Sequence, residues 1–237
     1  MEQYLLKGAE ELNIALSVEQ VKKFVAFYNI LISGNKVCNL TAITEMYEVV
    51  TKHFLDSLSC VKAASFEGNL NLLDVGTGAG FPGIPIKILY PDLSVVLIEA
   101  SQKKVDFLNN AVSELALKKV KVIHIRAEEV GVLPEYREKF DRVTARAVAQ
   151  LNILSEYCIP MVKMGGFFIA LKGPSTEVEV KNAIPAIKKL GGEIKKSVLL
   201  KLPLSGEGRT LITIRKVLKT PKGYPRRIGI PTKNPLS

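Results

Sequence analysis

The sequence predicts an α/β protein with a mainly parallel sheet, an antiparallel hairpin at one edge and a helical N-terminal extension. Three observations predict it. Apolar runs at 70–75, 94–99, 120–125, 140–144 and 166–171 alternate with helical stretches. Strands that are apolar throughout need cover on both faces, as in a parallel sheet. The first 66 residues carry helical periodicity and no strand signal. Near the end, β-rich runs at 196–204 and 209–217 flank the turn residues "SGEG" and read as a hairpin.

The elements follow in order. Ser17 and Gln20 form a capping-box signature ahead of Val21, Phe24, Val25, Tyr28 and Ile32, which share one face of a helix. Gly34 reads as its stop. A second helix over 45–64 carries "HFLDS". Within the alternating region the clearest helix begins at Ser101 and carries Val105, Leu108, Val112 and Leu115. After Val217 four prolines fall within 20 residues, which reads as an extended tail. The expected divisions are a helical cap over 1–66, an α/β domain over 67–217 and a basic, proline-rich tail over 218–237.

A hydrophobic content of 47% over 237 residues supplies a buried core. Cys38, Cys60 and Cys158 are odd in number and lack CxxC spacing, so no disulfide scaffold or metal site is expected and a reducing cytoplasm is. Acids interrupt the N-terminal apolar stretch, and no run of 18 apolar residues occurs, so neither an export signal nor a membrane span is expected. The net charge of +10 is unevenly placed: 209–237 hold eight basic residues and no acid, leaving 25 basic against 23 acidic elsewhere. This is the pattern of a polyanion-binding end on a nearly neutral body.

The run "LLDVGTGAGFPGIPIKI" places four glycines within eight residues after a strand. Gly78 to Gly83 has the glycine spacing of a phosphate-binding P-loop, but Ile84-Pro85 stands where Lys and Ser/Thr must. Dinucleotide binding needs a third glycine where Phe81 stands, and a bulky ring there opposes close approach to a pyrophosphate. What remains is an adenosine ligand without phosphates. Asp74-x-Gly76-x-Gly78-x-Gly80 after a strand resembles the donor loop of Rossmann-like, class I S-adenosyl-L-methionine-dependent methyltransferases. Glu99 ends the second strand and is placed to accept from ribose hydroxyls. Ala127 and Glu128 follow the third strand beside an adenine, and Arg146 follows the fourth on the acceptor side.

The acceptor is read from what the site holds. Amino-nitrogen methylation in many enzymes uses an Asn/Asp-Pro-Pro-aromatic tetrapeptide, where this chain has Thr144-Ala145-Arg146-Ala147. Carbon methylation of pyrimidines needs a thiolate, and Cys158 sits in an apolar helical run. His53 and His124 read as structural. No general base stands out, which suits a lone-pair acceptor such as guanine N7.

Several segments together resemble one bacterial family, the guanine-N7 methyltransferases of small-subunit ribosomal RNA, also called glucose-inhibited division protein B. They are "NLTAI", "HFLDSL", "LLDVGTGAGFPGIPIKI", "RAEE", "TARAVA", "LKG" and "GRTLITIRK", spanning the cap to the last strand. The resemblance implies methylation of a guanine in the decoding region of 16S rRNA, on naked RNA or the small ribosomal subunit. It also implies donor contacts at Gly76, Phe81, Ala127, Glu128 and Arg146; Gly78 and Glu99 join them from the loop and the spacing. Arg226 and Arg227 in the tail are expected to meet RNA phosphates. No catalytic acid or base is assigned, and no metal. The rival readings are a small-molecule methyltransferase of the same fold, a non-catalytic ribosome-assembly factor and, last, a nicotinamide oxidoreductase.

Overall fold

A computed structural model describes residues 1–146 and 148–237. Seven strands form one sheet: β1 (Asn71–Val75), β2 (Ser94–Glu99), β3 (Val120–His124), β4 (Phe140–Arg146), β5 (Val162–Lys172), β6 (Gly192–Lys201) and β7 (Gly208–Lys216). Their order is β3-β2-β1-β4-β5-β7-β6. The first five run parallel, and β7 is antiparallel to both neighbours. The expected hairpin is therefore present, with its second strand inside and its first at the edge. Composition explains the order. Leu211, Ile212 and Ile214 bury both faces of β7, whereas Lys195, Lys196 and Lys201 leave β6 largely exposed.

Strand side chains alternate between two apolar cores. Leu72, Leu97, Ile169 and Leu211 face one side, and Leu73, Ile98, Phe168 and Ile212 the other. On the first side lie α1 (Glu2–Glu11), α2 (Val18–Cys38), α5 (Gly83–Leu89) and α6 (Gln102–Glu114). On the second lie the short α7 (Ala127–Val130), α8 (Leu151–Cys158) and α9 (Glu177–Lys189). The N-terminal helices share a core with the sheet: Phe24, Phe27 and Phe54 are fully buried in one cluster with Leu72 and Leu97.

The capping box forms as read. Ser17 N–H donates to Gln20 Oε1 at 2.8 Å, and Gln20 N–H to Ser17 Oγ at 3.2 Å. Gln20 Nε2 also donates to the Leu89 carbonyl at 2.8 Å, tying α2 to the end of α5. Gly34 does not stop the helix, which runs to Cys38 and ends on left-handed Asn39. A Cβ at Gly34 would lie 2.6 Å from the Phe107 ring, so this glycine serves close packing of α2 on α6.

The expected helix over 45–64 is composite. α3 (Met46–Val49) passes through a π-helical stretch, Val50–Leu55, into α4 (Asp56–Leu58) and the 3₁₀ turn Ser59–Lys62. Such wide turns concentrate at functional sites, and this one holds His53, Phe54 and Leu55 of "HFLDS". The tail is not the extended arm expected. It folds back on α7 and α8, buries Pro225 and Leu236, and forms α10 (Ile230–Lys233).

Gly34→Val is expected to destabilise the fold by about 1–3 kcal/mol through overpacking against Phe107. Adding Phe107→Leu should recover part of that loss. Urea unfolding of the two single variants and the double variant checks the coupling.

Candidate functional site

The glycine loop is built around Asp74, the fully buried acid near the end of β1. Its Oδ2 accepts from Thr77 Oγ1 at 2.6 Å and Gly83 N–H at 2.9 Å, and its Oδ1 from Thr144 Oγ1 at 2.9 Å. Burial pushes this carboxyl above its ordinary value, against the pull of these donors. The loop in between is held on β2: Gly76 and Thr77 donate to the Ile98 carbonyl at 3.0 and 3.2 Å. Gly76 has φ +64°, and a Cβ there would approach Val148 to 3.0 Å.

Glu99 holds the loop from the other side. Its Oε2 accepts from Gly78 N–H at 3.0 Å, and its Oε1 from the Ala100 and Ser101 amides, each at 3.0 Å. Oε1 thus has both lone pairs engaged, while Oε2 keeps one for a further donor. Beside it opens a cavity of about 460 Å³ lined by Gly76, Glu99, Ala127, Glu128 and Arg146. That volume suits a cofactor, and an acceptor oxygen beside apolar Ile98 and Ile125 fits the ribose and base of an adenosine. Gly78 and Phe81 are not in this lining: Gly78 is bonded to Glu99, and Phe81 is buried against the N-terminal helices. Ala147, the last residue of the "TARA" segment, lies outside the described residues.

Arg146 forms the wall nearest the N-terminal helices. Its Nη1 donates to the Lys52 carbonyl at 2.9 Å and to Asp56 Oδ2 at 3.0 Å, and its Nη2 to His53 Nδ1 at 3.2 Å. The guanidinium lies 5.1 Å from the Phe81 ring centre, and His53 stacks on that ring at 4.5 Å. Asp56, 2% exposed, also accepts from Arg209 Nε of β7 at 2.7 Å. Arginine only donates, so His53 Nδ1 is an acceptor and its Nε2–H donates to Thr41 Oγ1 at 2.9 Å. Burial, and then the Arg146 charge, lower the His53 pKa to about 3, so the imidazole is neutral.

The far wall comes from the tail: Ile228, Gly229 and Thr232 line the same cavity. Gly229 N–H donates to Glu128 Oε1 at 3.2 Å, and Tyr157 Oη lies 3.0 Å from Thr232 Oγ1. Arg226, expected to face phosphates, turns inward instead. Its Nε and Nη2 donate to the two oxygens of fully buried Glu156 at 2.8 and 2.6 Å, and its backbone N–H adds a third bond at 2.8 Å. A buried carboxylate needs a partner, and Arg226 is that partner. Arg227 is exposed.

From the sequence alone His53 reads as structural, and Asp56 and Arg209 carry no assigned role. A His and an Asp three residues apart share a helical face, which was the available signal. Nothing comparable marked Ile228 or Thr232. Cys60 and Cys158 are buried, and burial pushes both thiols well above their ordinary value.

The strand order, with its single antiparallel strand and a cradle at the carboxyl ends of β1 and β2, defines a class I methyltransferase fold. The chain is similar to the [4+2]-cyclase SpnF (TM-score 0.58, 16% identity, 86% of this chain and 98% of that one). It is also similar to geranyl diphosphate C-methyltransferase from Streptomyces coelicolor A3(2) (TM-score 0.53, 16% identity, 68% and 78%). These likenesses concern the fold. Residues 20–203 match the family model "rRNA small subunit methyltransferase G", and the chain belongs to that family. The Ribosomal RNA small subunit methyltransferase G of Pelotomaculum thermopropionicum is 50% identical over 97% of this chain and 96% of its own.

His53 yields a pH signature. Its folded pKa of about 3 lies below the unfolded value of 6.5. The unfolded chain therefore takes up the proton first, and stability falls as pH drops from 6.5 towards 3. The slope is about 1.4 kcal/mol per pH unit. Between pH 7 and pH 5 the native chain should lose about 2 kcal/mol more than a His53→Gln variant. Denaturant titrations at both pH values measure that difference.

Proposed function

We propose that this chain transfers a methyl group from S-adenosylmethionine to N7 of a guanine in the decoding region of 16S ribosomal RNA. The coarser part rests on family membership: the chain is an rRNA methyltransferase that takes its methyl group from S-adenosylmethionine. The guanine-N7 assignment rests on one observation, the state of the histidines and buried thiols, none of which lines the cavity. Neutral His53 has both nitrogens engaged, and His124 Nε2 is bonded to the Ala100 carbonyl at 2.9 Å. The Cys60 and Cys158 thiols are held protonated by burial. These groups favour an acceptor that attacks with its own lone pair and has no proton to lose.

The donor supplies an electrophilic methyl on a sulfonium, and displacement there is governed by positioning. In this reading Glu99 orients the ribose through the free lone pair on Oε2, and the loop from Gly76 to Phe81 holds the methionine half. The Ala127–Glu128 segment borders the base. Arg146 has three of its five N–H groups engaged by Lys52, Asp56 and His53. Among the described residues its Nε–H and second Nη2–H have no partner, which leaves them for the acceptor. A guanine offers O6 and N7 side by side on its major-groove edge. Donation from Arg146 to O6 fixes that edge while leaving the N7 lone pair clear to attack. Exposed Arg126 on the cavity rim and Arg227 in the tail are placed to meet phosphates.

The test uses small ribosomal subunits and their stripped RNA from cells lacking this protein. Each is incubated with methyl-labelled S-adenosylmethionine, and the digested nucleosides are read by mass spectrometry. Label in 7-methylguanosine is expected; label in another nucleoside overturns the N7 assignment. No label on either substrate, with donor binding intact, overturns the RNA acceptor. Arg146→Lys should lower turnover by about 10²-fold while 7-methylguanosine stays the product, because lysine cannot span the same partners.

A further inference from the structure

We propose that the C-terminal segment 224–236 is a built part of the donor site. Ile228 and Gly229 form the outer wall against which the adenosine half of the donor rests, and the Arg226–Glu156 pair anchors that wall. The proposal rests on the reading of this cavity as the donor site. The strand-end residues that line it belong to the 20–203 span matched by the family model, whereas this wall lies beyond it.

Four observations carry the inference. The segment is fastened at both ends and between. Arg137, placed after α7, donates to the carbonyls of Thr220, Pro221 and Tyr224 at 2.9, 3.2 and 2.6 Å. Arg226 fills the Glu156 site, Thr232 meets Tyr157, and Asn152 Nδ2 donates to the Leu236 carbonyl at 3.0 Å. A tail serving as a free basic arm has no need of a fully buried carboxylate as its anchor. Second, the fastened segment leaves an apolar side chain open at the cavity: Ile228 is 49% exposed although its neighbour Pro225 is buried. An adenine has two apolar faces, and resting one on Ile228 removes that surface from water. Third, Gly229 has φ +78°, with nothing within 4 Å of where a Cβ would stand. The chain turns there at the cavity lining and presents its N–H to Glu128 Oε1. Fourth, Glu128 lines the cavity as well, so one carboxylate joins the wall to the donor surface.

In this reading the tail covers the adenosine side of the donor, and Arg146 stands on the side where the acceptor arrives. The wall retains the adenosine half and leaves the methionine half untouched. Ile228 is solvent-facing and carries no structural bond, so truncating it leaves the fold intact.

Calorimetry on the full chain with S-adenosylhomocysteine and, separately, 5′-methylthioadenosine tests this. Ile228→Ala should weaken both ligands by about five- to tenfold and in the same ratio, since both carry the adenosine half. Thr232→Val, which loosens the wall through Tyr157, should weaken both in the same direction. Saturating S-adenosylhomocysteine should also slow tryptic cleavage after exposed Arg227. Glu99→Ala separates the two readings. If it abolishes ligand binding while Ile228→Ala and Thr232→Val change it less than twofold, the cavity stands and the wall is overturned. If Glu99→Ala also binds normally, the donor-site reading falls and takes the wall with it. Weakened RNA binding in Ile228→Ala with unchanged affinity for both ligands overturns the proposal in favour of an RNA-binding arm.

Discussion

The site depends on one buried carboxylate. Asp74 has no contact with water and receives three donors from three places: the glycine loop, the first turn of α5 and the neighbouring strand β4. A buried acid left short of partners is costly, so these donors have little freedom to move. Thr77 Oγ1 and Gly83 N–H bring the loop back over the end of β1, and Thr144 Oγ1 locks β4 beside it. The loop's other side is fixed by Glu99 at the end of β2. Two acids on adjacent strands thus set the curvature of a segment whose glycines would leave it undefined.

The N-terminal helices belong to the same arrangement. Phe81 follows the glycine loop, and its ring is packed by Phe27, Phe54 and His53 from the helices that precede the sheet. Arg146 lies against that ring, and Asp56 joins it to Arg209 of β7. One guanidinium is therefore oriented by the N-terminal helices, by the loop and, through Asp56, by the last strand. The π-helical stretch Val50–Leu55 carries His53, and Asp56 follows it directly, so the wide turn sits where two polar side chains must reach one arginine. The neutral state of His53 follows from the same packing.

How much of this was legible depends on the range of each interaction. Ser17 and Gln20 are three residues apart, and their reciprocal bonds were visible in the sequence because nothing distant competes for them. The strands were visible because continuous apolar runs need two covered faces. Gly34 was misread as a stop because its reason for being glycine is Phe107, far along the chain on α6. The tail was misread for a similar reason. Arg226 looks like a solvated charge until Glu156 is known to be buried beneath it, and no local pattern announces that. The position of Glu99 beside the glycine loop, by contrast, is legible from spacing alone, since a strand end beside a glycine turn is a local geometry.

The position of β7 has a consequence for the birth of the molecule. β5 acquires its second neighbour only from residues 208–216, and β6, which precedes β7 in the chain, has no place in the sheet until β7 exists. A chain emerging from the ribosome in order must therefore hold β5 with an open edge, and β6 unplaced, until residues 208–216 have been made. The same late segment brings Arg209 to Asp56 and then the residues that cover the cavity. The cavity is therefore walled last at Ile228 and Thr232, long after its glycine loop has been made.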